Sequence, residues 1–257
     1  MSKRVAVVTG ASGGLGKEWV KALVKEDVDE VWAIARRKEV LEELAKENPE
    51  KVVPISGDLT DPKFLESIEA KFVSSDVDIV WMINNAGMGR SISFVDEDLE
   101  YMRKSIRLNV EAVMTLSYFA LKHMKAGSHL INVGSQAGRQ PVPYETIYAA
   151  TKAFVNNWSS SLHFEYKDKG IHVMAVTPYW IRSDMLDLMD RGRGYKFPNV
   201  SMPNEVVAKA MKDAKKKKVF SVNKFPVKLM IFAQKIVPLK MQMRIWRKTA
   251  VQICDVK

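Results

Sequence analysis

The sequence predicts an open α/β fold in which helices cover both faces of a doubly wound parallel sheet. Short runs rich in valine and isoleucine recur along the 257 residues, and segments with helical periodicity separate them. Buried parallel strands have this composition because both of their faces are covered. Regular alternation of strand and helix with compact links is typical of a three-layer α/β/α arrangement.

The elements follow one another in a regular order. The predicted strands are 5–8, 31–35, 52–55, 79–83, 129–133, 172–176 and 219–222. The predicted helical segments between them include 16–25, 41–47, 98–125 and 147–167. The stretch 184–203 is the least regular, because glycines and prolines interrupt any period, and its length is typical of a lid or binding loop. We therefore expect one dinucleotide-binding and catalytic domain over 1–225, with a substrate loop at 183–203, and a helical extension over 226–257.

Size and composition restrict the class of protein. A chain of this length with 47% apolar residues can bury a sizeable core in one large domain. The single cysteine, Cys254, excludes an internal disulfide framework and is typical of a reducing compartment. The first residues pass directly from two basic residues into a strand, without the apolar stretch of a signal peptide or of a spanning helix. We expect a cytoplasmic protein.

The net charge of +10 is concentrated in the last quarter of the chain, where residues 191–257 hold 17 Lys and Arg against 3 Asp and Glu. A nucleic-acid site is one interpretation of the lysine run 215–218. That run has no aromatic platform beside it and no recognised binding motif, so we expect no nucleic-acid partner. Lysines beside an edge strand more often prevent edge-to-edge pairing.

A glycine-rich turn joins the first predicted strand to the first helix. Gly10, Gly14 and Gly16, with Ser12 and Leu15 between them, allow a tight turn and a close approach of the backbone to a pyrophosphate. The helix that follows would offer its free N–H groups and the positive end of its dipole to the anion. The spacing differs from the commoner dinucleotide fingerprint, and glycines also mark plain turns.

Arg36 and Arg37 end the second strand, about 20 residues after the glycine turn, where an acid would select NAD. A guanidinium can bind a 2′-phosphate bidentately, whereas a carboxylate would repel it. The pair therefore favours NADP(H), with NAD(H) as the other candidate. The alternative interpretation is that both arginines only cap a solvated strand end.

Polar residues also end the third and fourth strands. Asp58, followed by Leu59, is placed to accept a hydrogen bond from the adenine amine. Asn85 closes the fourth strand and needs hydrogen-bond partners there. Ala86 and Gly87 are small enough to leave room for a ribose beside them.

Tyr148 and Lys152 lie one helical turn apart on one face of a predicted helix. A phenol has a pKa of about 10, and a nearby ammonium and a positive nicotinamide ring would lower it by favouring the phenolate. Such a pair could exchange a proton with an alcohol or a developing alkoxide. This spacing alone is common on helix surfaces, but Ser135 follows the fifth strand and could donate a hydrogen bond to the same oxygen.

Taken together, these motifs resemble the short-chain dehydrogenase/reductase family over residues 4 to about 185. The matching set, in family order, is Thr9-Gly10, Gly14, Gly16, Asn84-Asn85-Ala86-Gly87, Asn109, Ser135, Tyr148 and Lys152. The resemblance implies a Rossmann fold and a catalytic group of Ser135, Tyr148 and Lys152 with Asn109 as its fourth member. It further implies that Asn109 holds a helix backbone position and a water linked to Lys152, and that Lys152 binds the nicotinamide ribose.

Two departures from the family pattern affect the cofactor assignment. Many members have Pro-Gly after the sixth strand, whereas this chain has Pro178 followed by Tyr179 and a tryptophan. The resemblance still implies that Pro178, Ile181 and Ser183 meet the nicotinamide. Gly13 stands where NADP-binding members often carry a basic residue, so 2′-phosphate binding would depend on the two arginines after the second strand.

The expected substrate is a bulky hydrophobic ketone or alcohol. Tyr179, Met185 and Met189 would supply apolar walls, and Arg191 and Arg193 a cationic rim. Hydroxysteroids, bile acids and 3-oxoacyl chains all fit this description. The alternative is that the loop only solubilises the surface.

The last 32 residues read as two apolar and basic helices separated at Pro238. They could form the interface of a homodimer or homotetramer, or cover the substrate channel. They could instead lie peripherally on a membrane surface, with lysines and arginines facing anionic headgroups. Similar tails occur in steroid and long-chain acyl reductases of the family that the chain resembles.

The leading hypothesis is an active oxidoreductase that moves a hydride between a nicotinamide and a ketone or secondary alcohol. The second hypothesis is an NADP(H)-binding regulator that keeps the fold without the chemistry. Retention of the serine, tyrosine, lysine and asparagine favours the enzyme. The four histidines show no metal-ligand spacing, so we expect no metal.

Overall fold

A computed structural model describes residues 2–190 and 194–253. Its central sheet is parallel throughout, with strand order β3-β2-β1-β4-β5-β6-β7. The strands of the described chain are β1 (Lys3–Thr9), β2 (Glu30–Ala35), β3 (Val52–Ser56), β4 (Val77–Asn84), β5 (His129–Val133), β6 (His172–Val176) and β7 (Phe220–Ser221). The predicted doubly wound α/β fold is confirmed.

The helices that the structure describes are α1 (Gly14–Leu23), α2 (Lys38–Lys46), α3 (Pro62–Ser74), α4 (Leu99–Ile106), α5 (Ala112–Leu121), α6 (Thr146–Tyr166), α7 (Asp184–Asp190), α8 (Pro203–Lys215), α9 (Phe225–Gln234) and α10 (Leu239–Ile253). The helix predicted over 98–125 is broken, because a π-helical segment at Arg107–Glu111 joins α4 to α5. Such segments widen a helix locally and are frequent at functional sites.

Two apolar clusters explain why the strands are rich in valine. Ala6 and Val8 belong to the cluster on one face of the sheet, with side chains from α1, α2 and α8. Val5 and Val7 belong to the cluster on the other face, with side chains from α3, α5 and α6. Successive strand residues point to opposite faces, so a strand that is covered on both sides is apolar at every position.

The reversal of strand order between β1 and β4 fixes where a ligand can bind. The chain winds outward from β1 to β3 on one side and from β4 to β7 on the other. The connections leave these two neighbouring strands in opposite directions, which opens a crevice at their carboxyl ends. The polar and glycine-rich segments singled out in the sequence all follow strands at this edge.

The region beyond β6 departs in part from the prediction. The stretch expected to be irregular begins with α7, because its glycines and prolines start only after Asp190. Arg191, Arg193 and Cys254 lie outside the described residues. As predicted, the C-terminal segment forms two helices that are separated at Pro238. Within the described ranges, none of the helices combines the length and apolar character that crossing a bilayer requires.

Candidate active site

A cavity of about 650 Å³ opens at the carboxyl ends of the strands. This volume is within the range of small-molecule and cofactor sites. The cavity is lined by every predicted cofactor-binding residue, by Ser135, Tyr148 and Lys152, and by Tyr179 and Met185. Of the other predicted residues, Asn109 does not line the cavity. The side chain of Met189 is outside the described part of the chain.

The glycine turn has the shape that close approach of a ligand requires. Gly10 adopts a φ of 65°, in the left-handed region. A Cβ on Gly16 would lie only 2.1 Å from the carbonyl oxygen of Gly10, so α1 can pack against the turn only with glycine there. Gly13 precedes α1 and provides no side-chain cap. The N-terminus of the helix therefore presents backbone N–H groups at the cavity.

Arg37 is held at the mouth of this turn by Ser12. Its Nε lies 3.2 Å from Ser12 Oγ, and its Nη2 donates to the Ser12 carbonyl oxygen at 2.7 Å. Arg36 is exposed at the same edge, and both arginines line the cavity. Two guanidinium groups thus stand where the sequence analysis expects the ribose of adenosine.

Asp58 is fixed by hydrogen bonds on both oxygens. Its Oδ1 accepts from the backbone and hydroxyl of Thr60 at 2.9 and 2.8 Å, and its Oδ2 is 3.2 Å from Lys104 Nζ. Partial burial raises the pKa of this carboxyl, but the hydrogen bonds from Thr60 and Lys104 outweigh it and hold the pKa below its usual value. The sequence did not single out Lys104, which lies 46 residues away.

Asn85 ties β4 to β1. Its backbone N–H and that of Ala86 donate to Thr9 Oγ1 at 2.9 and 3.0 Å. Its side-chain amide donates to the carbonyl oxygen of Thr9 at 3.0 Å. The partners of this partly buried amide are therefore the backbone of the adjacent strand, and the link holds both edges of the crevice together.

Ser135 and Tyr148 line the same cavity, and hydrogen bonding from the Ser135 hydroxyl lowers the pKa of the Tyr148 phenol. Ser135 lies immediately after the loop that ends β5, and Tyr148 is in the first turn of α6. Lys152, one turn further along α6, donates from Nζ to the carbonyl oxygen of Val133 at 2.7 Å. Its Nζ is 5.8 Å from the centre of the Tyr148 ring. The three predicted catalytic side chains are thus brought together.

The electrostatics of this group differ from the sequence-based expectation. Burial raises the pKa of Tyr148, the hydrogen bond from Ser135 lowers it and the Glu145 carboxylate raises it, and the resulting pKa is about 12. Burial lowers the pKa of Lys152 to about 8. Among the chain's own groups, desolvation therefore outweighs the lysine, and Tyr148 holds its proton at neutral pH.

Asn109 occupies the π-helical segment and is fully buried. Its Oδ1 accepts from the Met88 N–H at 2.9 Å, and its Nδ2 donates to the Met88 carbonyl oxygen at 2.7 Å. Its Nδ2 also lies 3.1 Å from the hydroxyl of Thr151, the neighbour of Lys152. The amide therefore holds the loop after β4 against α6, and not the helix backbone position that the resemblance implied.

The segment after β6 supplies the opposite wall. Pro178, Ile181 and Ser183 line the cavity as predicted, and Ile181 forms a parallel bridge to Ser201. The Tyr179 ring packs against Trp246 of α10, with 6.4 Å between centroids.

Several wall residues were not among the site residues predicted from the sequence: Leu108, Val142, Glu145, Trp180 and Trp246. Glu145 could have been found, because it lies only three residues before Tyr148 in the sequence. Trp246 could not have been identified as a wall residue, because it lies almost 100 residues after Tyr148 and no local pattern connects it with the site.

Comparison with known proteins agrees with this arrangement. A model of the short chain dehydrogenase family matches residues 4–193. The very-long-chain 3-oxoacyl-CoA reductase of Bos taurus is 33% identical over 190 residues, which cover 70% of this chain and 60% of that protein. The 17-beta-hydroxysteroid dehydrogenase type 3 of Rattus norvegicus is 29% identical over 197 residues, covering 73% of this chain and 63% of the relative. The match thus spans about 60% of the length of these curated relatives.

Among solved structures, a short-chain dehydrogenase from Sphingobium yanoikuyae in complex with NADPH superimposes with a TM-score of 0.75. The two chains are 28% identical, and the superposition covers 91% of this chain and 92% of the other.

Proposed function

The chain belongs to the short-chain dehydrogenase family, and from this premise we propose that it is an oxidoreductase that transfers a hydride between NADP(H) and a ketone or secondary alcohol. The observation that carries the proposal is that Ser135, Tyr148 and Lys152 line one cavity together with the glycine turn. The glycine turn and the two arginines supply the anion-binding groups that a dinucleotide phosphate needs.

Ser135, Tyr148 and Lys152 have different roles at the substrate oxygen. A bound NADPH would supply the hydride to the carbonyl carbon. The Ser135 hydroxyl holds the carbonyl oxygen by a hydrogen bond, and Tyr148 donates its phenolic proton to the same oxygen as negative charge develops. A phenol that keeps its proton at neutral pH suits the direction of ketone reduction. Lys152, which is buried beside Val133, supplies positive charge that stabilises the tyrosinate left behind.

The direct test is NADPH oxidation with purified protein and a panel of steroid, bile-acid, 3-oxoacyl and sugar ketones, followed at the NADPH absorbance band. Turnover of at least one bulky ketone supports the enzyme. Tight NADPH binding without turnover of any ketone would favour the regulator and contradict the proposal.

We propose a bulky hydrophobic substrate, such as a hydroxysteroid or a bile acid. The part of the wall formed by Val142, Tyr179, Leu186 and Trp246 is apolar or aromatic, which suits a ring system. A 3-oxoacyl chain is the second candidate, and it is favoured by the resemblance to the very-long-chain 3-oxoacyl-CoA reductases. The ratio of kcat/KM between a steroid ketone and a 3-oxoacyl thioester distinguishes the two.

Arginine replacement tests the proposed NADP(H) preference. We expect that Arg36→Ala and Arg37→Ala each weaken NADPH binding by about 10- to 100-fold, because a hydrogen bond to a charged group contributes about 1.5–3 kcal/mol. NADH binding should change far less, since it has no 2′-phosphate. Fluorescence titration of both nucleotides measures the effect. Lys38→Ala is the matched control, because this neighbouring cation is exposed and does not line the cavity. Equal weakening of both nucleotides would contradict the assignment.

We propose that α10, within the extension over 226–257, covers the substrate cavity through Trp246. Trp246→Ala should raise the KM of a bulky hydrophobic ketone by roughly 10-fold, the equivalent of about 1.4 kcal/mol, and leave the Kd of NADPH unchanged. Steady-state kinetics measure the first quantity and titration the second. Ile245→Ala is the control, since Ile245 is exposed on the same helix. A KM that is the same in both variants and the parent would show that α10 is not a cover.

The outer surface of the last two helices fits a partner of low polarity. Its exposed apolar residues are Phe225, Leu229, Phe232, Ile236, Leu239, Met241 and Ile245. Exposed lysines and arginines lie between them. We propose either a second copy of the chain, in a homodimer or homotetramer, or the surface of an anionic membrane as the partner. Sedimentation with and without anionic vesicles distinguishes the two.

A further inference from the structure

Glu145 is a buried carboxyl group in the wall of the catalytic cavity. It immediately precedes α6, the helix that carries Tyr148 and Lys152, and only 7% of its surface is exposed. The Ser91 hydroxyl donates to its Oε1 at 2.9 Å. This residue has no role in the mechanism proposed above.

The surroundings of Glu145 leave much of its hydrogen-bonding capacity unused. A carboxylate can accept about four hydrogen bonds, and the side-chain hydrogen bonds of the described chain include one to this group, from Ser91. The nearby cavity wall is apolar or aromatic at Val142, Tyr179 and Trp246. Burying a carboxyl group among such neighbours is unfavourable unless a partner satisfies it. Burial accordingly raises the pKa of Glu145 to about 7.

Glu145 also lies close to the reacting position. It is three residues before Tyr148, and both residues line the same cavity. Its negative charge raises the pKa of both Tyr148 and Tyr179, which stand on opposite walls of the cavity. A substrate held by Tyr148 through its carbonyl oxygen therefore has its nearby carbons within reach of this carboxyl group.

We propose that Glu145 is a specificity-determining residue that binds a hydrogen-bond-donating group, a hydroxyl or a protonated amine, a few bonds from the carbonyl carbon of the substrate. This inference rests on the proposed reductase function. The substrate class is thereby narrowed to hydrophobic ketones with a donor on the side facing α6. A site built to bind such a donor discriminates against the analogue that lacks it, because the carboxyl group is then left buried and unpaired.

A purely structural role would be to hold the segment around Ser91. The backbone already joins these segments, because Ile92 donates to the carbonyl oxygen of Tyr144 at 2.8 Å. A structural role would also affect all ketones alike. Substrate preference, and not overall activity, is therefore the quantity that separates the two roles.

The test uses ring ketones of matched size: cyclohexanones with an ethyl, hydroxymethyl or aminomethyl group at position 3 or 4. In the parent protein with NADPH, we expect kcat/KM to be about 10- to 100-fold higher for a donor-bearing ketone than for its ethyl counterpart, as for a hydrogen bond to a charged group. Glu145→Leu should abolish both preferences. Glu145→Gln should keep the hydroxymethyl preference, since an amide oxygen still accepts, and lose the aminomethyl preference. Glu165→Gln, at an exposed position of the same helix, is the control and should keep both.

Calorimetric binding of the same ketones to the NADP⁺-saturated protein separates this inference from the proposed function. If all three ketones are reduced with equal kcat/KM, the role of Glu145 is overturned and the reductase proposal is supported. A second outcome is that the protein binds the donor-bearing ketones more tightly than the ethyl ketone without turning any of them over. If this preference in binding is lost in Glu145→Leu, the result overturns the reductase proposal and supports the binding role of Glu145. Absence of both turnover and preference overturns both proposals.

Discussion

Tyr148→Phe is expected to lower kcat for ketone reduction by about 10²- to 10⁴-fold, the usual contribution of a positioned general acid. The phenylalanine ring fills the same space, so the Kd of NADPH should be unchanged. The loss falls on kcat because the variant removes the proton donor and one of the two groups that hold the substrate oxygen. Stopped-flow or steady-state NADPH oxidation measures the rate, and fluorescence titration measures the binding.

Tyr166→Phe is the matched control for this variant. It removes a phenolic hydroxyl at the end of the same helix, at a position outside the residues that line the cavity. Its kcat should equal that of the parent protein. Full activity of Tyr148→Phe would contradict the proposed chemistry, and an equal loss in both variants would point to damage of α6 instead of loss of a proton donor.

Gly138→Ala is expected to disturb both stability and catalysis. A Cβ at this position would lie 2.3 Å from the backbone carbonyl carbon of Lys152 and 2.5 Å from its oxygen. This is the contact at which the short 3-10 helix Gln136–Arg139, directly after Ser135, packs on α6. Backbone atoms cannot swing aside as a side chain can, so the free energy of unfolding should fall by about 1–3 kcal/mol, as in other overpacked interiors.

The loss of activity in Gly138→Ala should exceed what the loss of stability explains. Separating the 3-10 helix from α6 moves Ser135 away from Tyr148, so kcat should fall even at temperatures where the variant is fully folded. Gly13→Ala is the control for unfolding, because its Cβ would have its nearest neighbour at 3.6 Å. Urea denaturation measures the free energies. A Gly138→Ala protein with the stability and kcat of the parent would refute the close packing of these two segments.

The order and direction of the elements were predictable because they depend on local patterns. The strands predicted at 129–133 and 172–176 match β5 and β6. The helix predicted over 98–125 was too regular, since its apolar periodicity continues through the π-helical segment that Asn109 occupies. The two hydrogen bonds between Asn109 and Met88, one donated by each residue, stabilise that segment, and they join residues 21 positions apart. A local pattern does not contain such a contact.

The pairing of histidines illustrates the same limit. His129 and His172 show no meaningful spacing in the sequence. Parallel pairing of β5 and β6 places them in register, with their Nδ1 atoms 3.0 Å apart. Burial of His129 lowers its pKa to about 4. Neither the contact nor the pKa shift follows from residue types alone, because both depend on which strands become neighbours.

The sequence by itself determined the parallel sheet, the glycine turn that begins α1, and the meeting of Ser135 with Tyr148 and Lys152. Each of these follows from periodicity, from backbone freedom at glycine, or from the rule that parallel strands end at one edge. Only the tertiary structure decided that Trp246 and Glu145 line the cavity, and that the pKa of Tyr148 lies above that of a free phenol. These properties depend on burial by distant segments, because desolvation and cavity shape arise when elements far apart in the chain pack together.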